Sequence, residues 1–170
     1  QLDTEKDEIK ETFYPTGGQY PIVDVTVVSD TIYALTQGKL LFGLKNNPTL
    51  PASSAWNLDN RLESLSTFSY SDIEKVGNEL YVLYKSSNYG EDTVYHLIPQ
   101  GRTVLTNYPY SLEINKLTQH QGKLDVLCDG AILSYNQNQV LDESVLTFYL
   151  GIWFKPLGMT YVDSYKWVAD

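Results

Sequence analysis

The sequence is poor in the residues that most often carry chemistry. Of 170 residues, one is Cys, one is Met and two are His. A lone Cys128 excludes an internal disulfide framework. Within the apolar run 124–128 it reads as a small buried strand residue, not a nucleophile. His96 and His120 come without His-x-Glu or paired-His spacing, so no metal site is expected. Cations are scarce: 12 Lys and Arg face 21 Asp and Glu, for a net charge of −9. That balance argues against a nucleic-acid backbone or an anionic lipid surface as partner. No apolar run approaches the ~18 residues of a membrane-spanning helix. Gly17-Gly18 lacks the Lys and the helix of a phosphate loop, and no Gly-x-Ser-x-Gly elbow occurs. No cofactor is expected, and no window sustains helical periodicity.

What the chain does have is aromatic residues, with 14 Tyr, 3 Trp and 5 Phe, and a repeat. Four segments, 24–35, 72–83, 116–127 and 159–169, share one plan: an apolar strand, a polar turn, a second apolar strand. The matching apolar positions are Ile32, Leu80, Leu124 and Trp167, spaced by 48, 44 and 43 residues, with one extra residue in the last turn. Ser29-Asp30, Gly77-Asn78 and Gln121-Gly122 suit hairpins, because Gly, Asn and Asp tolerate positive φ at little cost. Third strands follow at 39–44, 93–97 and 131–135. Fourth strands fit 102–106 and 139–141. Residues 53–67, after Pro51, read as a loop.

The unit is thus about four short antiparallel strands over roughly 40–45 residues, the period of a propeller blade. A β-sandwich with regular hairpins is the alternative; four matched segments with turns in register favour blades. The expected fold is all-β, a β-propeller segment over residues 22–170 with repeat starts near 24, 72, 114 and 159. Residues 1–21 form a lead-in or partial edge strand. The first ten residues are acidic and polar, unlike a secretion leader. About three and a half blades do not close a ring. The expectation is a fragment of a larger propeller, completed by blades of the same or another chain.

The segments 123–135 and 31–42 resemble the two-component-regulator type of propeller repeat. Residues 166–170 look like the start of another, in the form seen in PorZ-like propellers of Bacteroidetes. The similarity covers about half the chain in short pieces, and the Gly-Thr pair and closing Gly-Leu of that repeat are missing from most units. The resemblance implies an exported protein of the periplasm, outer-membrane surface or exterior. Members serve as sensor ectodomains for polysaccharide breakdown or as components of type IX secretion.

Asp24 and Asp72 occupy matching places ahead of the inner strands. Paired carboxylates near a propeller axis do acid/base work in some glycosidases. Spacing alone does not show that the two converge, and solvated strand ends are the plainer reading. Trp56-Asn57-Leu58-Asp59-Asn60 carries Trp, Asn and Asp in the wrong order for a glycosidase motif. The remaining lead is a surface of aromatic residues in or beside loops: Tyr84, Tyr89, Tyr108, Tyr110, Trp56 and Trp153. Such rings bury large area at low entropy cost. The loops 86–92 and 108–112 are the best surface candidates. The expected function is non-catalytic: a binding or scaffold module whose partner is protein or polysaccharide at the cell envelope. The alternatives are the glycan-sensing ectodomain of a hybrid two-component regulator and part of a glycoside hydrolase propeller.

Overall fold

The computed structural model describes residues 2–3, 8–9, 12–18, 20–65, 69–105, 113–146, 156–162 and 165–169. Strands β1 (Leu2–Asp3) and β2 (Glu8–Ile9) pair with each other. Three four-stranded antiparallel sheets follow, each a meander in chain order. The first holds β3 (Ile22–Val28), β4 (Thr31–Thr36), β5 (Leu40–Leu44) and β6 (Asn57–Leu58). The second holds β7 (Tyr70–Val76), β8 (Glu79–Tyr84), β9 (Thr93–Ile98) and β10 (Gly101–Val104). The third holds β11 (Ile114–His120), β12 (Lys123–Cys128), β13 (Ala131–Tyr135) and β14 (Leu141–Leu146). A last hairpin pairs β15 (Gly158–Val162) with β16 (Tyr165–Ala169). These are β-propeller blades, with three complete units and the opening hairpin of a fourth.

Short β-branched and aromatic runs make the strands, and tight turns join them. Gln121 and Gly122 both have positive φ, 50° and 76°, the conformation of a type I′ hairpin turn. The first strand of each complete unit carries a bulge at the same place. Pairing slips between Ile22 and Asp24, between Tyr70 and Asp72, and between Ile114 and Lys116. The repeat is therefore one of backbone detail as well as of pattern.

The core lies between the sheets. Leu35, Leu40, Leu80 and Val82 seal the first against the second. Tyr81, Leu83, Leu117, Leu124 and Val126 seal the second against the third. The other face of the first sheet is covered by its own β5–β6 connection. Leu50 and Trp56 fold back over Ala34 and Leu41, with Phe13 from the lead-in packed alongside. Gly43 makes room for this, because a Cβ there would sit 2.3 Å from Leu50 Cδ1.

Three sequence expectations change. The stretch 53–67 contains a fourth strand, the two-residue β6, entered through a 3-10 turn at Ser53–Ala55. Gln139 belongs to the turn before β14, not to the strand, and holds φ of 59°. The fourth hairpin has no extra residue: Val162 pairs with Tyr165, so Lys166 takes the place of Ile32, Leu80 and Leu124, and Trp167 lies one position on.

Candidate functional site

The opening strands β3, β7 and β11 stand side by side, each with one edge unpaired within its own sheet. Those free edges expose backbone amides that need acceptors. Asp24, the third residue of β3, supplies two. Its Oδ1 accepts from Val25 N–H at 2.8 Å and its Oδ2 from Ile73 N–H on β7 at 3.0 Å. Asp72, the third residue of β7, repeats the arrangement one blade later, where Oδ2 accepts from Leu117 N–H on β11 at 2.5 Å. Lys75 ties the first pair again, donating to the Val27 carbonyl at 2.8 Å. The equivalent position on β11 is Lys116.

The two acids that the sequence marks as matching do converge. Asp72 is pushed up to about 8, first because burial strips water from its charge, then because it hydrogen-bonds Asp24. The Leu117 amide and Lys116 pull the other way. Burial also raises neighbouring Glu74. At neutral pH, Asp72 therefore tends to keep its proton, while the oxygens of both acids cap backbone amides. The arrangement clasps adjacent blades.

A second clasp sits between the second and third sheets. Lys85 donates to Asp92, to Glu113 at 2.9 Å and to the Ile114 carbonyl at 2.8 Å. Asp92 also accepts from the Ser86 and Ile114 amides, both at 2.9 Å, and Glu113 from the Gly90 amide at 3.1 Å. Burial opposes the Lys85 charge, but its two carboxylate partners carry its pKa above the ordinary value, and Lys85 holds Glu113 below its own. This network fixes both ends of the 86–92 loop.

The predicted aromatic surface divides. Tyr89 is 69% exposed at the tip of that fixed loop. Tyr84 is half-buried, 6.1 Å from both Tyr70 and Tyr95, in an edge-on and tilted ring cluster that Arg102 closes by lying 4.6 Å over Tyr95. Trp56 is 9% exposed, with its indole N–H donated to the Leu50 carbonyl at 2.9 Å, so it is chiefly a core residue. Tyr108, Tyr110 and Trp153 lie outside the described residues. His96 stacks on Tyr81 at 4.8 Å and contacts Gln139 and Glu79 through its two ring nitrogens. His120 closes β11 opposite Lys123. Cys128 is buried, and that burial pushes its thiol up to about 12. Asp59 is held by Arg61 in a forked pair.

Sequence reasoning did not find a groove beside the first sheet. It encloses about 720 Å³, between Pro15, Thr16, Tyr20 and Pro21 of the lead-in, the β4–β5 turn and the Ser64–Leu65 segment. Its floor includes Leu41, Trp56 and Leu58, and Lys39 stands at its wall with its ammonium 5.0 Å over the Tyr20 ring. The groove joins segments distant in sequence, so no local pattern announces it.

No protein-family model matches the chain, and no curated protein matches it. Solved structures do. PorZ of Porphyromonas gingivalis, a bacterial surface component of the type-IX secretion system, matches 99% of this chain with TM-score 0.67 and 18% identity. The N-terminal domain of Nup159 matches 84% with TM-score 0.54 and 12% identity. The extracellular domain of a B. thetaiotaomicron one component system matches 82% with TM-score 0.49 and 18% identity. The chain spans 20% of the PorZ chain, 36% of the Nup159 chain and 18% of the third. At these identities the likeness is one of fold, and it falls where the repeat pieces point: this chain is a run of β-propeller blades similar in fold to PorZ.

Proposed function

We propose that these blades form a non-catalytic binding or scaffold module of an exported bacterial protein, working at the cell surface in a role of the type IX secretion kind. The observation that carries the non-catalytic reading is the use of Asp24 and Asp72 at the blade junctions. Both oxygens of Asp24 and one of Asp72 accept from backbone amides, and the two acids hydrogen-bond each other, whereas a glycosidase pair must face a substrate with one oxygen free to protonate a leaving group. The fold likeness to a surface component of a secretion system supports the location and the class of role. The likeness to Nup159, which also occurs in a complex with Dbp5 and Gle1, supports protein binding as a use of this fold.

Two measurements test the reading. The first incubates the protein with a broad polysaccharide panel and follows reducing ends; none should accumulate above background. Release that Asp24→Asn or Asp72→Asn abolishes would sink the non-catalytic reading. The second exposes intact producing cells to added protease. Loss of the protein places it at the surface, and full protection there overturns the location.

A further inference from the structure

We propose that the 86–92 loop docks a protein partner that presents an arginine, with the guanidinium stacked on the Tyr89 ring and paired with Glu91, a reading that rests on the binding role above and names its surface. The loop departs from the repeat. Residues 37–39 join the second and third strands of the first sheet, and 129–130 those of the third, whereas the second sheet uses 85–92 for the same connection. The longer loop stands at the end of the sheets that carries the 37–39 turn. Ser69 links the two, its amide donating to the Gln37 carbonyl at 2.9 Å and its carbonyl accepting from the Lys85 amide at 2.7 Å. The loop is also held in one shape. Besides the anchors at Asp92 and Glu113, Ser86 Oγ accepts from the Asn88 amide at 3.1 Å, and Asn88 Nδ2 donates to Glu91 at 2.8 Å. Gly90 turns the chain at the tip with φ of 73°. A partner then has little left to order, which lowers the entropy cost of recognition by a loop.

This held loop presents an open ring and an open acid two residues apart. Tyr89 is 69% exposed and has neither a ring contact nor a side-chain hydrogen bond among the described residues. Glu91 is exposed, and among the described residues its carboxylate accepts only from Asn88, with no cation on it. Lys85, at the base of the loop, is turned inward onto Asp92 and Glu113. Elsewhere the chain completes this arrangement itself. Arg102 lies 4.6 Å over Tyr95 and 3.1 Å from Glu63. Arg61 lies 5.6 Å over Tyr33 and forks onto Asp59. The loop carries the ring and the acid of that trio without the arginine. A planar guanidinium can stack on a ring and pair with a carboxylate at once, which a compact ammonium does less well. The net charge of −9 also favours approach by a basic protein surface.

The test selects a phage-displayed library of random peptides on the intact chain and measures the enriched peptides by calorimetric titration. They should share an arginine, and exchanging it for lysine should weaken binding. Tyr89→Ala should weaken the peptides at least about ten-fold, as expected of an interface anchor. Tyr89→Phe should keep the affinity, because the ring face remains. Glu91→Gln should cost about two- to five-fold, and less in high salt. Removing the peptide's arginine should cost little further in Tyr89→Ala, since the two groups act as a pair. All three variants should melt with the wild type, because both side chains stand in solvent. Enriched peptides that lack arginine, or that bind Tyr89→Ala as tightly as the wild type, overturn the docking loop and leave the binding role with another surface. A library that yields no binder overturns the protein-binding role together with the loop.

Discussion

Replacing Asp72 by Asn should stabilise the chain at neutral and alkaline pH and leave it unchanged near pH 4. In the folded state Asp72 is pushed up to about 8, against an ordinary 3.8. Between those values the folded chain holds a proton that the unfolded chain gives up. Stability from this group is therefore complete below about pH 4 and falls as pH rises toward 8. At pH 7 the gap is roughly three pK units, a ceiling of about 4 kcal/mol at about 1.4 kcal/mol per unit. The Leu117 amide and Lys116 compensate in part, so about 1–3 kcal/mol is the working figure. Asparagine keeps the geometry of the protonated acid. Its Oδ1 can accept from Leu117 N–H and its Nδ2 can donate to Asp24. For a chain of this size the gain corresponds to roughly 3–10 °C in melting temperature. The assay is paired thermal unfolding of wild type and Asp72→Asn at half-unit steps from pH 4 to 8.5. The difference should be near zero at pH 4, grow steadily from about pH 4 to about pH 8 and then level off. A constant difference, or a loss of stability above pH 7, would refute the raised Asp72 at the blade junction.

Three further outcomes follow from other contacts. Lys85→Met should cost about 2–3 kcal/mol in urea unfolding, because Asp92 would remain buried with only its two amide donors; amide exchange should then quicken first in the 86–92 loop. Gly38→Ala should destabilise more than Gly43→Ala, read from paired urea midpoints. A Cβ at 38 lands 2.8 Å from the Leu65 backbone carbonyl, whereas one at 43 meets the movable end of Leu50. Cys128 should react with an aromatic disulfide reagent only as the chain unfolds, so the labelling rate should rise with denaturant in step with the loss of tertiary signal. Rapid labelling of the native chain would contradict the burial.

Local chemistry makes the blades legible in the sequence. Hairpin turns at 29–30, 77–78 and 121–122 lie where Gly, Asn and Asp tolerate positive φ, and the apolar pattern between them sets the strands. β6 was not legible, because Asn57–Leu58 is too short to show a period and is held by its register against Leu41 and Phe42. Trp56 was misread for a related reason. A Trp in a loop sequence looks exposed unless one knows that Gly43, on a strand paired with β6, leaves space for it. The groove around Lys39 depends on four separate segments and leaves no trace in any one of them.

Asp24 and Asp72 show where sequence reading reaches its end. Their matching repeat positions identify them as a pair, and the structure brings that pair together. Two carboxylates in contact near a propeller axis would suit catalysis if their free lone pairs faced a cleft. Here three of the four carboxylate oxygens accept from the Val25, Ile73 and Leu117 amides, donors that exist because each opening strand has an unpaired edge. The repeat creates the demand for an acceptor at every blade junction, and a short acidic side chain at the third strand position meets it. Lys116, at that position in the third blade, cannot accept a hydrogen bond. The junction beyond it must therefore satisfy its edge amides by another route, while its ammonium helps to offset the charge of Asp72 behind it.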